Sequence, residues 1–228
     1  MPTLTEIRRQ ARECLSGIWW NAVAIYLIYF ALVAFASSIP GVGQIAVILA
    51  EGALAYGISL YFISLIRKKQ PDLNQLFRGF NFDGPNLGLF GKTLGVFLLS
   101  TLYIFLWSLL FIIPGIVAAY SYRMVFYLLV DNPELPVPEI LRESKRMMFG
   151  NKSRLFLLDL SFIGWFFLSI LTFGIGFIWL GPYMWAASTV FYEKLRGKFQ
   201  KLSQNNNLTK TTRSNPDKVG GIVSDKND

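Results

Sequence analysis

The lysines and arginines of this chain lie in short stretches that alternate with long uncharged runs. Of the 22 Lys and Arg residues, 21 lie within residues 1–17, 66–92, 131–154 and 193–228. The long uncharged runs cover residues 14–50, 93–122 and 160–192. A helix needs about 20 apolar residues to cross the hydrocarbon core of a bilayer, so each run is long enough for one or two crossings.

The composition excludes an ordinary soluble domain. Charged residues make up 16% of the chain and hydrophobic residues 53%, with a mean hydropathy of +0.43. Soluble domains carry about 25% charged residues, so too few charges are present to cover a water-facing surface. The net charge of +8 would suit nucleic acid, but the cations flank apolar segments, where anionic lipid headgroups attract them. We therefore expect membrane lipids, and no nucleic acid, as partners.

The pattern predicts an all-α, polytopic membrane bundle of six spans in three hairpins. The predicted spans are residues 18–38, 44–66, 93–113, 115–130, 154–172 and 176–192. Cationic loops stay on the cytoplasmic side, so both termini are predicted to be cytoplasmic. The first run resembles a signal peptide, but its uncharged stretch exceeds the 7–15 residues of a signal h-region, which favours a retained helix.

A glycine spacing hints at an internal repeat. In each predicted hairpin two glycines lie 24 residues apart: Gly17 and Gly41, Gly91 and Gly115, Gly150 and Gly174. This distance crosses the hydrocarbon core at about 1.5 Å per residue. Because the chain has 19 glycines, chance is a rival explanation, and the repeat stays open at this point.

A short amphipathic segment precedes each hairpin. Leu4, Ile7, Ala11 and Leu15 share one helical face, and Thr3 with Glu6 fits a capping box. An apolar face beside a basic face suits a helix in the inner headgroup layer. The alternative is that these segments cap the bundle from below. The candidate headgroup contacts on their polar faces are Arg9, Arg12, Arg78, Arg142, Lys145 and Arg146.

Three ionisable residues lie inside predicted spans, where a lone charge costs about 2.5–3.5 kcal/mol. Glu51 lies eight residues past Gly43, and Arg123 lies eight residues past Gly115. Their equal depth and opposite sign predict a buried pair, either a fixed salt bridge or a polar point in a binding cavity. Asp159 is predicted to be an interface carboxylate, which either reaches the inner interface itself or meets Lys152 or Arg154 there.

Two further features concern the end of the chain. Gly181 and Pro182 predict a kink or break in the sixth span, since proline removes a backbone donor and clashes with the preceding turn. Such a break either packs against a neighbour or exposes carbonyl groups to a ligand. The integral membrane domain is predicted to cover residues 1–197, and residues 198–228 to form a disordered polar tail in the cytoplasm.

No enzyme signature is recognisable in the sequence. The chain has no histidine, one cysteine, no metal-ligand cluster and no glycine-rich phosphate loop. We expect a protein that is not an enzyme and that has no cofactor.

Several short stretches together resemble a known family. They are Arg12–Trp19, Ser144–Gly150 running into Asn151 and Lys152, Leu160–Trp165, Thr172–Gly176 and Phe191–Leu195. They resemble a bacterial family of multi-pass membrane proteins known only as domain of unknown function 975, over most of residues 1–197. A weaker similarity, through Ile112–Ile116 and Ser144–Gly150, is to the membrane domain of some glycerophosphodiester phosphodiesterases. The resemblance implies a bacterial membrane and supplies no site residues.

Two function classes remain open on these grounds. The favoured one is a non-enzymatic membrane component that organises a protein partner or a second copy of itself, or responds to lipid at the inner leaflet. The alternative is a small transporter or permease subunit that uses Glu51, Arg123 and the predicted break at Gly181 and Pro182.

Overall fold

A computed structural model of the protein describes residues 3–69, 71–84 and 88–214. Within these ranges the regular structure is helical and no strand is formed, which confirms the all-α prediction. The chain divides into two compact units, residues 1–192 and residues 193–228, and all contacts discussed below lie within the first unit.

The helices follow the apolar runs of the sequence. Their bounds are α1 Leu4–Leu15, α2 Trp19–Ser37, α3 Val42–Ile66, a 3₁₀ helix Leu73–Phe80, α4 Gly88–Leu110, α5 Ile112–Tyr122, α6 Val125–Asp131, α7 Val137–Met147, α8 Lys152–Leu160, α9 Ile163–Leu171 and α10 Phe177–Ser214.

Five helical segments of the described chain are long and apolar enough to cross a membrane. They are Trp19–Ser37, Gly43–Ile66, Gly88–Leu110, Ile112–Asp131 and Lys152–Leu171. This number of apolar helices indicates a multi-pass membrane protein. The sixth predicted span falls in α10, which is outside this group of five. The count of six spans and their sidedness therefore stay predictions.

The same close contact closes all three hairpins. A Cβ at Gly43 would lie 1.9 Å from the Ala36 carbonyl oxygen, which is seven residues earlier. The corresponding contacts, also over seven residues, are Gly115 with the Ser108 hydroxyl at 2.1 Å and Gly176 with the Ser169 hydroxyl at 2.5 Å.

The 24-residue glycine spacing found in the sequence does not have the same structural role in all three hairpins. Gly17, Gly41, Gly150 and Gly174 have φ between 72° and 88°, as tight reversals require, whereas Gly91 and Gly115 lie inside helices.

The second hairpin turns earlier than predicted. Helix α4 ends at Leu110 and α5 begins at Ile112, with Phe111 extended between them (φ −159°). Pro114 is the third residue of α5, in the first turn, where its missing N–H would have no intrahelical partner anyway. The turn therefore lies three residues before Pro114, the position between the predicted third and fourth spans.

Exposed apolar side chains concentrate toward the turn ends of the hairpins. We call this set the exposed belt: it covers α2 from Leu27, α3 from Ile45 to Leu49, α4 from Leu98, the start of α5, and α9. The rest of α3 is different, since nearly all side chains from Ala53 to Leu65 are buried. Side chains of α6 and of α10 from Ala186 to Tyr192 are also mostly buried. The belt is a surface that lipid would cover; Trp20 and Phe149, which lie outside it, are exposed as well.

The amphipathic segments supply part of that cover. Ile7, Ala11 and Leu15 of α1 are at most 3% exposed, and Thr3 caps the helix by accepting from the Glu6 amide at 3.3 Å. Helix α7 likewise buries Ile140, Leu141 and Met147. These apolar faces pack against protein rather than lying free for lipid, as the alternative interpretation expected.

The 3₁₀ helix runs along the inner part of α3 with almost no space between the two backbones. A Cβ at Gly57 would lie 2.0 Å from the Leu76 carbonyl oxygen, and one at Gly79 would lie 2.2 Å from the Ala53 carbonyl oxygen. Glycine at both contacts allows this approach. Leu73 and Phe77 of the same segment stay about half exposed.

Two spans are interrupted, and neither interruption contains proline. The fourth span breaks at Arg123 and Met124, between α5 and α6, and the fifth at Ser161 and Phe162, between α8 and α9. At the first break the fully buried Ser144 hydroxyl of α7 donates to the Ser121 carbonyl at 2.8 Å. In an unbroken helix that carbonyl would accept from the amide four residues later, so α7 satisfies a group that the break releases.

The predicted break at Gly181 and Pro182 is not observed. Helix α10 continues through both residues, with Pro182 as its sixth residue. A proline at this position removes one ladder hydrogen bond, to the Ile178 carbonyl. Gly181 serves packing instead, because a Cβ there would lie 2.3 Å from the Tyr26 ring.

The predicted disordered tail is helical over its first part. Helix α10 extends to Ser214, so residues 198–214 do not fit the prediction, while residues 215–228 lie outside the described part of the chain. No glycine or proline occurs between Gly197 and Pro216, so nothing in the sequence stops the helix earlier.

The cross-turn glycines give a stability prediction. Gly43→Ala and Gly115→Ala are expected to lower the midpoint of thermal unfolding in detergent, because overpacking of this kind costs about 1–3 kcal/mol. Gly164→Ala is the matched control: it lies in α9 with nothing within 4 Å, and alanine should leave stability unchanged or raise it. Equal midpoints for all three variants would contradict the cross-turn contact.

The hydrogen bond at the first break gives a second prediction. Ser144→Ala leaves the Ser121 carbonyl without its hydroxyl donor and is expected to cost about 1–3 kcal/mol, measured as a lower thermal midpoint. Ser153→Ala, an exposed serine near the start of α8, is the control and should unfold like the wild type. A Ser144→Ala protein as stable as this control would show that the bond does not support the break.

Candidate functional site

A polar cavity of about 480 Å³ lies where the three hairpins meet. We call it the central cavity. Its walls come from α2, α3, α4, the α5–α6 span and α10. Hydroxyl groups and aromatic rings dominate the lining, which includes Tyr26, Tyr29, Ser59, Phe97, Ser100, Thr101, Tyr122, Phe126, Tyr127, Trp185 and Ser188. Among the lining residues in the described part of the chain, Glu51 and Arg123 are the charged ones.

The carboxylate of Glu51 is half-buried and held by a tyrosine from the neighbouring helix. Tyr29 of α2 donates its hydroxyl to Oε1 of Glu51 at 2.8 Å. A carboxylate has further acceptor positions, so one tyrosine bond leaves capacity for a ligand. Glu51 lies about 12 Å along α3 from the cross-turn contact at Gly43, at the inner edge of the exposed belt.

Arg123 occupies the break in the fourth span, as the cap residue at the end of α5. Its side chain is exposed, since it lines both the central cavity and a second cavity of about 400 Å³. Within the described chain its nitrogens are farther than 4.0 Å from the Glu51 oxygens, and no ion pair joins the two residues. The fixed salt bridge expected from the sequence is therefore absent, although both residues line one cavity.

Asp159 lies on the other side of Arg123. It accepts from the Tyr120 hydroxyl at 3.0 Å and lines the 400 Å³ cavity, which we call the side cavity, together with Arg123. No ion pair with Lys152 or Arg154 occurs in the described residues, so the predicted partners are wrong. The residue is half-buried beside the fifth-span break, about 10 Å into the segment from Lys152. Arg123 thus stands between two carboxylates, Glu51 and Asp159.

The three hairpins contribute equivalent positions to the central cavity. Counting eight residues past Gly43, Gly115 and Gly176 gives Glu51, Arg123 and Met184, and all three line it. Ala36 and Ser108 are the residues that contact Gly43 and Gly115 across the turns. The residues seven positions before them are Tyr29 and Thr101, and both line the central cavity as well. The sequence analysis missed these two residues, and the cross-turn spacing of seven is the signal that would have found them.

Polar contacts join the ends of the spans opposite the turns. Arg67, at the end of α3, contacts both carboxylate oxygens of Asp131 at 2.7 and 2.8 Å, and the Tyr192 hydroxyl donates to Asp131 at 2.7 Å. Lys92, near the start of α4, donates to the Pro133 carbonyl. These bonds fix the cationic ends of the hairpins to one another below the central cavity.

The candidate headgroup cations are exposed. Arg9, Arg12, Arg78, Arg142, Lys145 and Arg146 all present exposed side chains. Two of them have neighbours on their own helix, Arg9 with Glu13 at 3.6 Å and Arg146 with Glu143 at 3.3 Å. Exposed pairs of this kind contribute little to stability.

Cys14 of α1 is a free, half-buried thiol. Burial, and to a smaller extent the charge of Glu13, raises its pKa, while Lys68 opposes the shift. At neutral pH it therefore holds less thiolate than an unperturbed cysteine and reacts more slowly. Within the described residues no group of three or more Cys, Asp and Glu side chains is arranged to hold a metal ion.

Comparison with known proteins places the chain in a family without assigned chemistry. No curated protein and no solved structure matches it. One family matches residues 1–123 and 109–198, and these matches together cover most of the chain. The protein belongs to the family described as "Protein of unknown function (DUF975)".

Proposed function

We propose that this chain is a solute-binding membrane protein, a small transporter or permease subunit, whose central cavity takes a small amine-bearing solute. The observation that carries the proposal is the placement of Glu51 and Arg123 on one cavity without an ion pair between them. A structural salt bridge would saturate both charges. Two charges that share a cavity but do not touch are available to a ligand.

The chemistry around Glu51 favours an amine. Its carboxylate shares the cavity with the rings of Tyr26, Tyr29 and Trp185. Aromatic faces attract an ammonium group, and a carboxylate at low dielectric strengthens that attraction. The volume of about 480 Å³ lies within the range of small-molecule sites.

Arg123 decides between two kinds of amine. Its guanidinium would bind the acid group of a zwitterion whose amine lies at Glu51. Asp159 lines the side cavity together with Arg123, farther than 4.0 Å from its nitrogens, and its negative charge would offset that of the guanidinium for a monocation. Interrupted helices that line membrane cavities are a recurring feature of transporter sites, and Arg123 lies at such an interruption.

The non-enzymatic membrane component favoured by the sequence remains a second proposal. It is supported by the six exposed cations on the amphipathic segments, which would attract anionic headgroups or an acidic partner. A bacterial plasma membrane, which the family resemblance implies, and cytoplasmic termini, which the distribution of charge along the chain favours, belong to this proposal as well.

A ligand panel tests the solute proposal. The purified full-length protein is titrated, by thermal shift and by calorimetry, with an alkylamine, a zwitterionic amino acid and a carboxylic acid of similar size. We expect the amine-bearing compounds to bind and the carboxylic acid not to bind. Glu51→Gln should abolish binding of both amines, because it removes the charge that pairs with ammonium.

Two further variants sharpen the test. Arg123→Gln is expected to weaken binding of the zwitterion by about tenfold or more and to leave binding of the alkylamine unchanged, since only the zwitterion has an acid group. Glu134→Gln removes an exposed carboxylate outside the cavity and should change neither titration. If the carboxylic acid bound as well as the amines, or if Glu51→Gln and Glu134→Gln behaved alike, the proposal would be wrong.

A further inference from the structure

A second large groove, of about 530 Å³, lies between α1, α2, α9 and α10, away from the central cavity. We call it the α9–α10 groove. Its lining changes character along its length. One end carries Arg8 and Arg12 of α1, and the walls beyond carry Trp165 and Leu168 of α9 with Trp179 of α10.

The cationic end holds two guanidinium groups that no carboxylate neutralises. Arg8 and Arg12 are one helical turn apart, and within the described chain neither has a carboxylate oxygen within 4.0 Å. Arg9, on the same helix, is paired with Glu13 and does not line the groove. The two arginines therefore form a site for an anion that the protein itself does not fill.

The position of that end is fixed by packing. The Tyr183 hydroxyl of α10 donates to the Arg8 carbonyl at 3.3 Å, and the Tyr183 ring contacts Trp19 and Phe162 with centroids 6.4 and 5.1 Å apart. Helix α1 buries the adjacent face, which carries Ile7 and Ala11. The guanidinium groups are thus held beside the groove by a helix that is packed against protein.

The apolar walls open onto the exposed belt. Trp165 is 56% exposed, Leu168 49% and Trp179 45%, although each lines the groove. Tryptophan is enriched where apolar chains meet headgroups. A molecule in the groove would therefore touch protein on one side and the surrounding lipid on the other.

We propose that the α9–α10 groove binds one anionic phospholipid, with its phosphate between Arg8 and Arg12 and an acyl chain along Trp165, Leu168 and Trp179. An anion alone would use the two arginines and leave the apolar walls uncovered. A phospholipid matches both the charge at one end and the apolar length beyond it. The inference is independent of the solute proposal, since none of these residues lines the central cavity.

Native mass spectrometry of the full-length protein in detergent tests the inference. The protein is titrated with phosphatidylglycerol, with phosphatidylcholine and with inorganic phosphate, and bound lipids are counted. We expect one tightly bound phosphatidylglycerol molecule and weaker binding of phosphatidylcholine. The double substitution Arg8→Gln with Arg12→Gln should weaken binding of the first phosphatidylglycerol molecule by about tenfold or more, since both charges near the headgroup are lost.

Two variants separate the lipid from a free anion and from general surface charge. Lys68→Gln with Lys69→Gln removes two exposed cations that do not line the groove, and should bind phosphatidylglycerol like the wild type. Leu168→Trp fills the apolar wall at an exposed position and leaves both arginines in place, so it should weaken phosphatidylglycerol while the fold is kept.

Each remaining outcome overturns the inference. If Lys68→Gln with Lys69→Gln weakened phosphatidylglycerol binding as much as the double arginine variant, the effect would be one of general surface charge. If Leu168→Trp bound phosphatidylglycerol normally and inorganic phosphate displaced the lipid, the site would be one for a free anion. If the double arginine variant proved unstable, unchanged phosphatidylglycerol binding by Leu168→Trp would still show that the groove is not the lipid-binding site.

Discussion

The structure depends on how three ionisable side chains are kept away from lipid. Glu51, Arg123 and Asp159 all lie in helices that are apolar enough to cross a membrane, and a charge facing hydrocarbon would be costly. The helices turn these residues toward shared cavities, and tyrosines donate to both carboxylates. The polar cavities are the consequence, because the charges and their hydroxyl partners require a region that lipid does not fill.

The hairpins provide this region through a repeated geometry. Each closes with a small residue packed against a glycine seven positions later, which brings the returning helix into close contact with the preceding one. Eight residues further, each returning helix reaches the central cavity. A position that carries glutamate in the first hairpin carries arginine in the second and methionine in the third. The same architecture thus presents three different groups at one depth, which is how a repeated scaffold acquires an asymmetric binding site.

The sequence predicted the parts of this fold that depend on local pattern. Apolar length indicated the helices, glycine and proline indicated the hairpins, and the shared offset of Glu51 and Arg123 indicated their common depth. It failed where tertiary contacts decide. The fourth span breaks at Arg123, where Ser144, distant in sequence, donates a hydrogen bond to the carbonyl of Ser121. Pro182, in contrast, removes one backbone hydrogen bond from α10 and does not interrupt the helix. Asp159 meets Tyr120 rather than a nearby lysine, since side-chain partners depend on which helices become neighbours.

Solvent access to the central cavity is the most direct test of this account. In a Cys14→Ser background, Thr101→Cys places a thiol on the cavity wall, and Leu102→Cys places one at the same depth on the exposed belt. Modification of each by a membrane-impermeant, sulfonate-bearing thiol reagent is measured on the protein in lipid bilayers open to both sides. The account predicts that the Thr101→Cys protein reacts and the Leu102→Cys protein does not. Equal reaction of both, or reaction of Leu102→Cys alone, would contradict a polar cavity enclosed by the three hairpins.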